Sequence, residues 1–235
     1  MLLLVSPTKT MKLTNARSQT MPRFIKEAKQ LMGKLKTMSP SQLQGMFGCN
    51  EKIAQQVANY NEQWCDGNGW KALTLFDGLQ FKSMQIDQWD AETLMFASNH
   101  LAIMSGLYGI VHPLDGIYPY RLDFNDEING IKVKQFYQNK ILTYLHSLNT
   151  PIIDACSKEY QLSDSSLPRI EVVFLENGKA KATLAKQARG YFARYFVTHK
   201  IDTIEQIKAF NAHEFYFDDT LSTESRLVFN RDKGE

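Results

Sequence analysis

The most constraining feature of the sequence is a run of 22 residues without a formal charge, Thr93–Leu114. A helix of that length is long enough to cross a bilayer. However, polar residues occupy positions 98–100 inside the run, and two glycines and Pro113 interrupt its second half. These breakers favour burial inside a protein core over a membrane span. We therefore expect a helix over Ala91–His100, a strand over Leu101–Met104, and no association with a membrane.

The composition is that of an ordinary globular protein. The chain has 235 residues, of which 43% are hydrophobic and 22% charged, and its formal net charge is +2. These values exclude a disordered chain, and the length suits one domain with a substantial core. The net charge conceals alternating blocks, with +7 over residues 1–60, −7 over 61–130, +6 over 131–200 and −4 over the last 35. Such blocks are compatible with a basic surface that faces a polyanion, or with charges that cancel in the fold.

Both helices and strands are predicted by the apolar periodicity. Helical spacing predicts helices at Pro22–Leu35, Val133–Leu148, Leu184–His199 and Ile204–Phe210. Apolar runs predict strands at Leu2–Val5, Pro151–Ala155, Ile170–Leu175, Phe215–Phe217 and Leu227–Phe229. The turn sequence Glu176–Lys179 predicts a β-hairpin that joins Ile170–Leu175 to Ala180–Leu184. The expected fold class is mixed α/β (α+β), in a single compact domain over residues 1–235.

Cysteine and histidine spacing gives no sign of a metal site. The three cysteines, Cys49, Cys65 and Cys156, form no closely spaced pair, which favours a reducing compartment and a cytoplasmic protein. The five histidines show no metal-ligand spacing with one another or with the cysteines, so neither a metal nor a cofactor is predicted. No recognisable catalytic motif is present. The sequence therefore favours a function other than catalysis and leaves any catalytic residue unknown.

A turn between two short helices is the first candidate functional element. Ser39 and Pro40 predict a helix start, and Asn50 predicts the start of the next helix. The segment resembles a helix-hairpin-helix module within about residues 36–60, in which backbone N–H groups of the turn bind a phosphate without reading bases. An ordinary helical hairpin is the alternative. The candidate phosphate- or DNA-binding residues are Gly48, Cys49, Asn50, Glu51 and Lys52, with Lys34 and Lys36 nearby.

A loop rich in glycine, proline and tyrosine over residues 105–122 is the second candidate element. Its side chains Tyr108, Asp115, Tyr120 and Arg121 are typical of a shaped binding loop. Arg121 is able to hold a carboxylate or phosphate with two hydrogen bonds. The alternative is a buried structural pair between Arg121 and Asp115.

The predicted helix Leu184–His199 is the third candidate element. Lys186 and Arg189 lie on a common face at about 100° per residue, while Arg194 lies on another side. Gly190, next to Arg189, allows another group to approach closely. The alternative is a core helix whose arginine side chains extend past the aromatic rings to water.

These segments resemble the YaaA family of bacterial peroxide-stress proteins nearly end to end. The resemblance is carried by Leu3–Thr10, Leu101–Gly109, Pro113–Asp115, Pro119–Leu122, Ala188–Gly190 and Leu227–Phe229. It implies a cytosolic mixed α/β protein with a positively charged cleft and a helix-hairpin-helix element that binds DNA. It also implies protection from hydrogen peroxide by lowering unincorporated iron.

Four positions depart from the family pattern. His112 stands where the family usually has Arg, and Asp77 stands where it has Lys. Leu79 stands where an acidic residue is usual, and Tyr137 replaces a usual Trp. The first two changes remove positive charge from places that the family keeps basic.

Two functional hypotheses follow. The leading one is sequence-nonspecific DNA binding by a monomer in oxidative-stress defence. The second is an enzyme or binder of a small phosphorylated or carboxylated metabolite in the same cleft. The expected cleft residues are Ser6, Lys9, Thr10, Tyr108, Asp115, Tyr120, Arg121, Lys186, Arg189 and Arg194.

Overall fold

A seven-stranded mixed sheet lies at the centre of the structure, a computed structural model that describes residues 1–162 and 167–232. Its strands are β1 (Leu2–Val5), β3 (Leu101–Ser105), β4 (Gly109–Val111), β8 (Ile152–Asp154), β9 (Arg169–Glu176), β10 (Tyr216–Phe217) and β11 (Arg226–Arg231). Two small two-stranded sheets join β2 (Trp70–Lys71) to β5 (Gly116–Ile117) and β6 (Glu127–Ile128) to β7 (Ile131–Lys132). The fold class is thus mixed α/β, as expected.

Helices of very different lengths surround the sheet. They are α1 (Ile25–Leu35), α2 (Pro40–Phe47), α3 (Glu51–Gln63), α4 (Ala72–Leu75), α5 (Leu79–Met84), α6 (Ala91–His100), α7 (Val133–Ser147), α8 (Ala182–Thr198) and α9 (Ile204–Lys208). Short 3₁₀ turns occur at Ile86–Gln88, Ala212–Glu214 and Asp219–Leu221. Among the described residues, none of these helices is both long and apolar enough to cross a bilayer.

The strand order is β10-β11-β9-β8-β1-β3-β4. The five strands from β11 to β3 are parallel, and an antiparallel strand closes each edge. Every residue of β1 and β3 is buried, which agrees with the apolar sequence of β1 and of the first four residues of β3. The uncharged run Thr93–Leu114 contributes most of α6, then β3 and β4. The two strands are fully buried as expected, whereas Ala97 is the one buried residue of α6.

Local sequence signals account for the ends of several helices. Ser39 and Gln42 form a reciprocal capping box at the start of α2, and Pro40 occupies the first turn. Gly48 ends α2 in the left-handed conformation, with φ at 55°. Asn50 caps α3 by accepting a hydrogen bond from the Ile53 backbone N–H at 2.9 Å. The two predicted helices therefore form with a three-residue turn between them.

The predicted hairpin after Leu175 is wrong. Asn177 and Gly178 do form a tight turn with positive φ, closed by the bridge between Glu176 and Lys179. The chain then enters α8 instead of a returning strand. Both edges of β9 are already occupied, because β8 and β11 pair with it in parallel. No edge is free to accept an antiparallel strand.

Candidate functional site

A cavity of about 350 Å³ lies where β1 and β8 end. β1 pairs with β3 on one side and with β8 on the other. The sheet therefore first grows from β1 toward β3, and the later strand β8 is added on the opposite side of β1. Such a switch in strand order opens a crevice at the carboxyl ends of parallel strands, which is where α/β proteins bind ligands. The cavity is lined by Ser6, Pro7, Thr8, Lys9, Thr10, Gly78, Leu79, Gln80, Asp123, Ser157, Glu159, Tyr160, Lys186 and Arg189.

Hydrogen bonds to Ser6 fix the floor of the cavity. The Ser157 backbone N–H donates to Ser6 Oγ at 2.8 Å, across 151 residues of sequence. Gln80 Nε2 donates to the Ser6 carbonyl oxygen at 2.8 Å and is itself buried. These hydrogen bonds therefore hold together the loops after β1 and β8 and the start of α5.

The close crossing of α5 and α8 positions Arg189. Gly190 lies against α5, where an added Cβ would collide with the Gln80 carbonyl oxygen and approach Ser83 Cβ to 2.6 Å. Only glycine permits this approach, since nonbonded carbon atoms prefer about 3.5–4.0 Å. The approach brings the preceding residue, Arg189, to the wall of the cavity.

Arg189 is a cation in a poorly solvated position. Its Nε is buried and has no hydrogen-bond partner among the described residues. Burial lowers the pKa of the guanidinium, and the nearby Cys156 and Asp154 offset this only in part. Burial in turn raises the pKa of the Cys156 thiol well above its ordinary value. Arg189 therefore presents positive charge that the protein itself leaves incompletely paired.

Asp123 is a carboxylate in the cavity wall that is paired within the protein. Lys9 Nζ lies 2.6 Å from Asp123 Oδ2, and the Tyr160 hydroxyl donates to Asp123 Oδ1 at 2.7 Å. The hydrogen bond to Asp123 raises the pKa of Lys9. Burial is the main cause that raises the pKa of the Tyr160 hydroxyl. Asp123 thus neutralises Lys9, and Tyr160 holds the carboxylate in place.

Glu159 and Lys186 complete the charged lining. Glu159 is half-buried, and burial, followed by the nearby Asp123, raises its pKa. Lys186 is exposed, one turn before Arg189 on α8. The lining carries three cations and two carboxylates, a net charge of +1.

Five of the ten predicted cleft residues line this cavity: Ser6, Lys9, Thr10, Lys186 and Arg189. Two more, Tyr120 and Arg121, line a small pocket beside it that Lys9 and Asp123 share. Sequence reasoning missed Gln80, Asp123, Ser157, Glu159 and Tyr160. The available signals were the position of Asp123 directly after the Pro119–Leu122 motif and the agreement of Glu159 and Tyr160 with the family pattern.

Three predicted cleft residues lie elsewhere. Tyr108 is buried in the core, where its hydroxyl accepts hydrogen bonds from Trp64 Nε1 at 2.8 Å and the Tyr118 N–H at 3.0 Å. Asp115 is buried and accepts from the His112 N–H at 2.7 Å. Arg194 donates to the side-chain oxygens of two glutamines on the neighbouring segment, Gln85 and Gln88. Hydrogen bonding within the fold therefore accounts for all three.

The proposed structural pair between Arg121 and Asp115 is also wrong. Among the described residues Asp115 makes no ion pair, and the Arg121 guanidinium lies 5.6 Å from the ring centroid of Phe47 at the end of α2. Arg121 Nε is buried and finds no hydrogen-bond partner in the described part of the chain. Arg121 therefore lies between the cavity region and the helical hairpin.

The candidate phosphate-binding residues of the hairpin lie apart from the cavity. None of the residues from Lys34 to Lys52 is part of its lining. Lys36 donates from Nζ to the Trp64 carbonyl oxygen at 2.9 Å, so its charge is partly engaged within the fold. The structure has two helices joined by a three-residue turn here, but the helix-hairpin-helix module and phosphate binding by it stay predictions. In the described residues, no group of three or more His, Cys, Asp or Glu side chains is placed to hold a metal ion.

Comparisons with known proteins agree on one family. A family model described as "Peroxide stress protein YaaA" matches residues 1–221. The chain belongs to this family. It is 32% identical over 249 residues to a UPF0246 protein of Limosilactobacillus reuteri, with 97% of this chain and 98% of the relative covered. UPF0246 proteins of Clostridium botulinum and Finegoldia magna are 30% and 32% identical, again over 97% of this chain and 98% and 97% of the relatives.

The four departures from the YaaA pattern have separate structural settings. His112 Nε2 lies 2.8 Å from the Tyr144 hydroxyl oxygen, and burial lowers the pKa of its imidazole. Tyr137 is buried and donates to the Leu107 carbonyl oxygen. Asp77 forms an ion pair with Lys82 at 3.7 Å. Leu79 alone lines the cavity, where it is 43% exposed.

Proposed function

We propose that this peroxide stress protein binds a small phosphorylated or carboxylated metabolite in the cavity between β1, β8, α5 and α8. The observation that carries the proposal is the position of Arg189, whose buried Nε lacks a partner among the described residues while its side chain lines the cavity beside Lys186. A guanidinium N–H that is buried without a hydrogen-bond partner is unfavourable. An anion that enters the cavity supplies that partner.

The dimensions of the cavity support a small molecule more than a polymer. Its volume of about 350 Å³ falls within the range of metabolite sites. The cations Lys9, Lys186 and Arg189 line one cavity, whereas the residues of the hairpin contribute nothing to its wall. A broad groove continuous with Gly48 would have favoured DNA instead. The geometry therefore favours the second hypothesis for this cavity.

Calorimetric titration of the purified protein with inorganic phosphate and with phosphorylated and carboxylated metabolites tests the proposal. Loss of a charge-assisted hydrogen bond costs about 1.5–3 kcal/mol, so Arg189→Gln should weaken binding by roughly 10- to 100-fold. Arg194→Gln is the matched control, because Arg194 is on the same helix but bonds outside the cavity. No binding of any anion by the wild type, or equal losses in both variants, would refute the proposal.

DNA binding by the hairpin is a second, separate proposal. The left-handed Gly48 and the cap by Asn50 make a tight turn, and Lys34 and Lys52 form no ion pair with any described residue. On duplex DNA, each neutralised phosphate contributes about −0.9 to the slope of log affinity against log salt. Replacement of Lys34 and Lys52 by Ala should make the slope shallower by about 0.9 for each phosphate that is no longer neutralised, whereas Lys132→Ala should not. An affinity that does not depend on salt would contradict this proposal.

Protection from peroxide through a lower level of unincorporated iron is the cellular role that we infer from the family. The contributions of the two sites can be separated in peroxide-stressed cells in which each variant is the sole copy of this protein. If the cavity mediates the role, electron paramagnetic resonance should detect more free iron with Arg189→Gln than with Arg194→Gln. If the hairpin mediates it, the variant that lacks Lys34 and Lys52 should have the same effect. Unchanged iron in both variants would exclude both sites as the mediators, and unchanged iron in cells that lack the protein would refute the inferred role.

A further inference from the structure

The charges of the cavity do not all have partners. Lys9 and Asp123 neutralise each other at 2.6 Å, and Tyr160 provides a further hydrogen bond to Asp123. Three charged side chains of the lining, Lys186, Arg189 and Glu159, form neither a hydrogen bond nor an ion pair with any described residue. The unpaired set consists of two cations and one carboxylate.

An anion alone does not suit this set. A phosphate or carboxylate beside Arg189 and Lys186 satisfies the two cations, but it leaves half-buried Glu159 only the nearby charge of Lys9, which Asp123 already neutralises. Burial and the charges of Asp123 and Asp126 raise the pKa of Glu159. The charges of Lys9 and Lys186 offset this only in part, so a further nearby anion adds repulsion. A cationic group at Glu159 removes that repulsion and replaces the water that burial displaces.

We propose that the ligand of this cavity carries both an anionic group and a protonated amine, with the phosphate or carboxylate on Arg189 and Lys186 and the ammonium on Glu159. This inference rests on the proposed small-anion function and specifies its substrate class. A molecule with both groups matches all three unpaired side chains. A cavity of about 350 Å³ has room for such a molecule of amino-acid size or somewhat larger.

Matched pairs of compounds test the inference, because the members of each pair differ in the amine alone. The pairs are phosphoethanolamine with ethyl phosphate, and β-alanine with propionate, each titrated by calorimetry. In at least one pair the amine-bearing member should bind about 10-fold more tightly, as expected for one charge-assisted hydrogen bond. Glu159→Gln should reduce that preference to near unity without weakening the member that lacks the amine. Glu62→Gln, an exposed position on α3, should preserve the preference.

The possible failures are distinguishable. If the compounds without an amine bind and the amine adds nothing, or if its benefit survives in Glu159→Gln, the inference is overturned and the proposed anion-binding function remains. If no compound of either pair binds to the wild type and inorganic phosphate also fails to bind, the proposed function and this inference fail together. Because Glu159 is only half-buried, the variant is expected to fold, and its unfolding curve checks this directly.

Discussion

Replacement of Gly190 by alanine tests the packing that positions Arg189. The new Cβ would lie 2.6 Å from Ser83 Cβ and would overlap the Gln80 carbonyl oxygen. Restoration of an ordinary carbon–carbon contact requires α5 and α8 to separate by roughly 1 Å. Overpacking costs about 1–3 kcal/mol, and a backbone carbonyl cannot rotate aside, so the upper value of about 3 kcal/mol applies. The better helix propensity of alanine offsets about 1 kcal/mol. The net loss in the free energy of unfolding should be about 2 kcal/mol.

Urea unfolding monitored by circular dichroism measures this loss, and Gly33→Ala is the matched control. Gly33 lies within the exposed face of α1, and a Cβ built there meets no atom within 4 Å. The same substitution should therefore stabilise the protein by about 1 kcal/mol at this position. Because Gly190→Ala also displaces Arg189, it should weaken anion binding, whereas Gly33→Ala should leave binding unchanged.

Gly190→Ala is expected to destabilise the protein and Gly33→Ala to stabilise it, so the measurement can refute the reasoning. If Gly190→Ala is as stable as the wild type or more stable, the helices do not cross as closely as the structure indicates. If the variant is destabilised but binds anions normally, the crossing supports the fold without positioning Arg189.

Two further predictions concern buried groups outside the cavity. Burial raises the pKa of Asp115 to about 6, so its stabilising contribution is fully present below its ordinary pKa of 3.8 and is lost as the pH rises through 6. As the pH falls from 7 to 5, the free energy of unfolding of the wild type in urea should rise by about 1.4 kcal/mol relative to that of Asp115→Asn. A difference between the two proteins that does not change with pH would contradict this. Tyr108→Phe leaves the N–H donors of Trp64 and Tyr118 without their acceptor, so it should lower the free energy of unfolding by about 2–4 kcal/mol. A loss below about 1 kcal/mol would contradict this prediction.

The helices and most strands were accessible from the sequence because their signals are local. The capping box at Ser39, the cap at Asn50 and the apolar spacing within α7 each involve residues within one or two turns of one another. The resemblance to the YaaA family was also recognisable from the sequence, because short motifs such as Pro119–Leu122 carry it. Five of the ten predicted cleft residues line the cavity, whereas their role in binding stays a prediction.

Tertiary structure alone decided which charges meet and which are already satisfied. Ser6 and Ser157 are hydrogen-bonded because β1 and β8 pair in parallel, and no local pattern encodes the pairing of strands so far apart in the chain. The same dependence on distant partners explains why the predicted hairpin is wrong. The turn after β9 is present, but the sequence does not show that β8 and β11 occupy both edges of that strand. Arg189 and Arg194 are both expected in the cleft from the sequence, yet Arg189 lines the cavity and Arg194 bonds to neighbouring glutamines. The sequence determined the elements and the family of this protein, whereas long-range packing and desolvation determined where its unpaired charge lies.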